Sequence, residues 1–146
     1  MTHFTKITAT GKTAKPTAKT HAAVIDQRTG LMWTAKDVGT ATFRDAPALI
    51  ADLNNKAFAG FTDWRLPTLQ ELFAIADHSR ISPAIDTDAF PTCKGGWYWS
   101  STTYASSPSV YAWVVLFGNG GAYYGRQNCD GRVRAVRSVS SPASGQ

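Results

Sequence analysis

Trp97-Tyr98-Trp99-Ser100-Ser101-Thr102, then Val110-Tyr111-Ala112-Trp113-Val114-Val115-Leu116-Phe117, then Gly118-Asn119-Gly120-Gly121 and the returning Ala122-Tyr123-Tyr124-Gly125-Arg126 decide the fold class. The first two runs are rich in aromatic and β-branched residues. The Gly/Asn turn supplies the backbone freedom a hairpin needs. The pattern predicts a late antiparallel sheet, with Arg132 to Val139 as a last strand.

Upstream the texture is different. Ala23-Val24-Ile25-Asp26 and Leu31-Met32-Trp33 flank turn residues and predict two short strands. Phe43, Ala46, Leu49, Ile50, Leu53 and Phe58 recur at helical spacing, with Thr42 as expected N-cap, Asp45 as its capping-box partner and Gly60 as the stop. Pro47 falls in the first turns, where it delays or bends the start. Thr68-Leu69-Gln70-Glu71 is a capping box that opens a second helix running to about Asp77. Residues 78 to 96 hold turn signals and no sustained period, which predicts a long loop of the kind that often carries function. Two early helices and a late, mainly antiparallel sheet make an α+β domain.

The chain's 146 residues suffice for one domain with a real core. Its net charge of +5 points first to an acidic partner such as nucleic acid, an anionic glycan or a membrane surface. Lys6, Lys12, Lys15 and Lys19 change that reading, because they lie in a stretch without Asp or Glu and leave the rest of the chain nearly neutral. Nucleic acid is therefore not the expected partner. Residues 1–21, rich in Thr and Lys with only Phe4 and Ile7 as large apolar side chains, are expected to be a flexible tail, a transit-like peptide or an arm docking on a neighbouring protomer of a homo-oligomer. Residues 140–146 are expected to be a flexible C-terminal tail. There is no apolar signal region and no stretch of membrane-spanning length, so the expectation is cytoplasmic synthesis, with any delivery to a virion or cell surface by another route.

Gly30-Leu31-Met32-Trp33, Asp63-Trp64-Arg65-Leu66-Pro67-Thr68 with Glu71-Leu72, Phe90-Pro91, Tyr98-Trp99-Ser100-Ser101-Thr102, Trp113 with Phe117 and Gly120, and Arg132-Val133-Arg134-Ala135-Val136-Arg137 occur in one order. That order, over roughly residues 22 to 139, resembles the C-terminal domain of the Legionella collagen-like adhesin and its large domain family. The resemblance implies a C-type-lectin-like fold, shared more distantly with formylglycine-generating enzymes, whose pattern Arg65-Leu66-Pro67-Thr68 and Glu71 are also similar to. It further implies a recognition role: in the adhesin such a domain engages sulfated glycans, and other members occur in surface, secreted and phage-associated proteins.

Physically, most of these motif residues read as structural. Asp63 and Arg65 flank Trp64 at a strand-to-helix junction, where they can brace backbone groups and each other or contact a ligand. Glu71 closes a helix cap, and Trp99 and Trp113 fit core positions on central strands better than glycan platforms. Ser100, Ser101 and Thr102 have no His in a matching motif to activate them. The oxidase chemistry of formylglycine-generating enzymes requires a closely spaced cysteine pair, which Cys93 and Cys129 are not. An enzyme of that type is thus the weakest reading. Two cysteines are the count for one staple, so Cys93 and Cys129 are either a disulfide across the sheet end or, in a reducing compartment, free thiols. Asp86 and Asp88, in the long loop, are weak candidates for calcium, because the sugar-chelating signatures of calcium-dependent lectins are absent. No other cofactor is expected.

What remains is a surface for contact. Lys94, Trp97, Tyr98, Tyr104, Tyr111, Tyr123, Tyr124, Arg126 and Asn128 cluster in the late loops and hairpin among Ser, Gly and Asn. Rigid aromatics amid small polar residues resemble a binding paratope, although cross-strand pairing accounts for part of them. The expected function is non-catalytic recognition of a glycan or protein surface, in an adhesin-like or phage-associated setting. The alternative is a structural or assembly subunit.

Overall fold

The computed structural model describes residues 3–93 and 95–139. Its strands are β1 (Phe4–Ile7), β2 (Ala23–Asp26), β3 (Leu31–Thr34), β4 (Gly39–Ala41), β5 (Trp97–Thr103), β6 (Tyr111–Leu116), β7 (Gly121–Arg126), β8 (Gly131–Val133) and β9 (Val136–Ser138). Two α-helices, α1 (Ala46–Asn55) and α2 (Leu69–Ala74), lie between β4 and β5. A four-stranded antiparallel sheet has the order β1-β2-β3-β9, and a five-stranded sheet the order β4-β8-β5-β6-β7. The architecture is α+β, as the sequence pattern predicts.

Strand β5 is buried on both faces. Alternation sends Tyr98 into one cluster with Trp33, Leu72, Phe90, Val115 and Phe117, while Trp99 joins Ile50, Leu53, Trp64 and Val133 in a second cluster facing α1. Two glycines let the tryptophans of this strand approach neighbouring backbone. A Cβ at Gly125 would lie 2.5 Å from the Trp97 ring, and one at Gly131 2.7 Å from Trp99 Nε1.

The expected last strand is two strands. Val133 belongs to β8 beside β4, and Val136 to β9 beside β3, so the chain leaves one sheet for the other at Arg134 and Ala135. Helix α1 also starts later than expected. Thr42 Oγ1 accepts the Asp45 N–H at 3.3 Å, but Asp45 is the N-cap and makes no side-chain cap bond. Pro47 explains the shift, because a residue without an N–H fits the first turn, where that donor has no partner. At α2 the predicted capping box is present, and Glu71 also receives two bonds from Arg65 at 2.7 and 2.8 Å. This helix ends at Ala74 rather than near Asp77, whose N–H turns out to Ala84 O at 2.8 Å.

Residues 3–21 are not laid out as a free tail. β1 pairs with β2 of its own chain, and Phe4, Lys6 and Ile7 are buried. The Lys6 ammonium donates to Pro16 O at 2.8 Å and Ala18 O at 2.7 Å and pairs with Asp88 at 2.9 Å, holding the connecting loop down. Sheet pairing and this clasp replace the core that the segment cannot form by itself. The proposed C-terminal tail, 140–146, lies outside the described residues.

Hydrogen-bonded cations hold three carboxylates below their ordinary range: Asp63 through Arg137, Glu71 through Arg65 and Asp88 through Lys6. A carboxylate with a depressed folded-state pKa contributes stability above its unfolded value, near 4, and loses it as the pH falls through the folded value. Stability is therefore expected to hold between neutrality and about pH 5 and to fall below about pH 4. Glu71→Gln should flatten part of that acid limb in urea titrations run as a pH series.

Candidate functional site

Register and alternation assemble an aromatic face on the hairpin. Tyr111 pairs with Arg126 and Trp113 with Tyr124, so these four side chains share one face of β6 and β7. Tyr104, whose N–H bonds Tyr111 O at 3.0 Å, folds back from the end of β5. Its ring stacks on Tyr124 at 4.0 Å between centroids and 14° between planes. Tyr111 and Trp113 meet Tyr124 edge-on at 5.3 and 5.6 Å, and the Arg126 guanidinium lies over Tyr111 at 5.5 Å. Tyr124 remains 48% exposed, while Tyr104, Tyr111 and Trp113 are half-buried around it. Its hydrogen bond with Tyr104 raises the Tyr124 phenol above its ordinary range.

Arg126 also lines an open groove of about 540 Å³, with Thr42, Arg44, Asp45, Ser109 and Asn128 among its other walls. The walls are stitched together by backbone. Phe43 N–H bonds Gln127 O at 3.1 Å, Gln127 N–H bonds Val110 O at 2.8 Å, and the Gln127 amide donates to Pro108 O and Tyr111 O. Phe43 in turn packs edge-on against Trp99 at 5.5 Å, anchoring the chain before α1 beside the end of β7. Neither Arg44 nor Arg126 has an ion-pair partner among the described residues, so the groove carries two guanidiniums without a paired carboxylate.

Of the residues predicted for binding, Tyr104, Tyr111, Tyr124, Arg126 and Asn128 gather here. Lys94 lies outside the described residues. Trp97 is half-buried against Trp99 at 5.2 Å, under Gly125. Tyr123 projects from the opposite face of β7 to Tyr124, its hydroxyl receiving the Asn119 amide at 3.0 Å. Trp113, expected in the core, is half-buried and belongs to the aromatic face. Arg44 carried no periodic or motif signal in the sequence; only its nearness to Gln127 and Asn128 in the fold brings it to the groove.

Tyr98 is not a surface residue. It is fully buried, and burial raises its phenol far above the ordinary range. Its hydroxyl donates to Asp37, a residue the sequence gave no reason to select. Asp37 also receives Arg132 at 3.0 Å and Arg134 at 3.2 Å, and the fully buried Arg134 donates to Thr34 O at 2.6 Å and lies over Phe90 at 4.7 Å. Arg132 and Arg134 thus converge on Asp37, the first from a half-exposed position and the second from the core. Asp63 and Arg65 are braces with other partners than each other: Asp63 holds Arg137 at 2.6 Å and Arg65 holds Glu71. Trp64 is fixed by Asn54, which accepts its N–H at 2.8 Å and donates to its carbonyl at 2.9 Å.

Cys93 and Cys129 are free thiols. Cys93 is buried in the core with its sulfur 3.6 Å from the Tyr98 hydroxyl, whereas Cys129 is exposed in the turn before β8, so the two thiols sit in different surroundings and are not bonded to each other in this structure. With an Ellman-type reagent, one thiol is expected to react promptly in the native protein and the second only on unfolding. In the long loop, Asp88 is engaged by Lys6 and Lys19, and Asp86 accepts the N–H groups of Asp88 and Ala89. Among the described residues no group of three or more His, Cys, Asp or Glu side chains is placed to hold a metal ion, and no helix is long and apolar enough to cross a membrane.

A comparison with curated proteins finds no significant match. The family model of the Lcl C-terminal domain matches residues 22–137, which takes in both helices, the aromatic face, the groove and every strand from β2 to β8. By that match, the chain belongs to the family of the Lcl C-terminal domain, the C-terminal domain of Legionella collagen-like protein.

Proposed function

We propose that this chain is a non-catalytic recognition domain on a C-type-lectin-like scaffold, and that it binds a glycan through the Tyr104, Tyr111, Trp113, Tyr124 face and the adjoining Arg44 and Arg126 groove. The observation that carries this reading is the half-buried Tyr104 stacked on the exposed Tyr124 beside two guanidiniums that have no ion-pair partner among the described residues. Aromatic rings offer flat apolar area to the C–H faces of sugar rings, and guanidiniums fork onto sulfate or carboxylate oxygens. The scaffold reading is supported by the pairing of the last strand, β9, with the early β3 and by the long loop that precedes β5. Recognition needs no bound cation in this account, because Asp88 is already committed to Lys6 and Lys19.

A glycan array probed with the full chain, with and without calcium, tests the reading. Binding is expected in both conditions and to favour anionic saccharides. Tyr124→Ala should weaken it by about 2 kcal/mol, the range of a binding hot spot, with no loss of fold because the ring is on the surface. An array without binding in either condition would remove the carbohydrate reading.

A further inference from the structure

A second cavity, of about 320 Å³, lies between α1 and the loop after β3 and is separate from the groove described above. Val38, Leu49 and Leu53 give it apolar walls, and Lys36 and Lys56 bring two ammonium groups to the same lining. Lys36 has no ion-pair partner among the described residues. Lys56 has only Asp52, at 3.8 Å, with both side chains well exposed to water. The remaining carboxylate of the lining, Asp37, is already neutralised by Arg132, Arg134 and the Tyr98 hydroxyl. The local balance is therefore positive over an apolar wall, in a volume at the small end of ligand pockets.

We propose that this cavity is a binding site for a small amphiphilic anion, a compound with one carboxylate and an apolar body of one or two rings. The rings would lie against Leu49, Leu53 and Val38, and the carboxylate would face Lys36 and Lys56. This assignment does not depend on the glycan reading, because the two sites share no lining residue.

Amide NMR shifts of the full chain, titrated with 2-naphthoate and with the neutral isostere 2-naphthalenemethanol, test it. The naphthoate is expected to shift the amides of Val38, Leu49 and Leu53. Lys36→Glu, an exposed substitution, should weaken naphthoate at least about tenfold and leave the neutral alcohol unaffected. Lys56→Glu should act in the same direction. The proposal is overturned if these amides do not shift, if the shifts fall on the Tyr104 and Tyr124 face alone, or if naphthoate affinity is unchanged in both lysine variants.

Discussion

Asp37→Ala is expected to lower the stability of the folded chain by about 3–5 kcal/mol, the cost of leaving a buried charge without its counter-ion. The reason is Arg134, whose side chain has no exposure to solvent and whose guanidinium has one carboxylate partner among the described residues. Thr34 O and the faces of Phe90 and Tyr98 would remain around it, but none of them carries a formal charge. Asp37 also accepts from Tyr98, so the substitution leaves a buried hydroxyl short of its acceptor. Tyr98→Phe removes only that last bond and should cost about 1 kcal/mol. A network predicts non-additivity. In the double variant Asp37→Ala with Arg134→Met, the loss should be smaller than the sum of the singles, because the second change removes the charge the first exposes. Denaturant unfolding of the four proteins measures this, and additive losses would contradict the network.

Removing residues 1–20 is expected to cost more than about 3 kcal/mol and to lower the melting temperature by roughly 10 °C. Phe4 packs edge-on against Phe90 at 5.3 Å in one cluster, and Ile7 belongs to the other, so the truncation opens both. It also strips β2 of its outer neighbour and exposes a row of unpaired backbone groups, which favours aggregation. Asp88 loses the buried Lys6 in the same step. An unchanged melting temperature on truncation would instead return this segment to the role of a dispensable tail.

These two effects also mark where the sequence stops being informative. The Thr68 and Glu71 capping box is legible because its donors and acceptors lie three residues apart, and the β6 to β7 hairpin because its turn chemistry is local. Asp37 is illegible because its guanidinium partners lie 95 and 97 residues away, and an acid in a loop between apolar segments carries no period. The split of the last strand is hidden for a related reason: alternation from Arg132 to Arg137 fixes which way side chains point, not which sheet accepts the backbone. Residues 4 to 7 are too few, and too rich in Thr and Lys around them, to announce a strand. Their partner, β2, supplies the template.

The candidate site follows the same division. Tyr111, Trp113, Tyr124 and Arg126 come to one face by strand register, which the hairpin pattern contains. Arg44 arrives only through the anchoring of Phe43 on Trp99 and Gln127, a tertiary contact. The aromatic composition is thus a fair guide to the surface, with Tyr98 and Trp97 drawn inward by the strand that is buried on both faces.

The most direct test of the recognition account is to titrate the isotopically labelled full chain with a sulfated oligosaccharide and map the amide shifts. The account predicts saturable shifts at Tyr111, Trp113, Tyr124, Arg126 and Arg44, with β1 and β2 undisturbed. Shifts that avoid the β6 and β7 face, or no shifts at millimolar ligand, would contradict it.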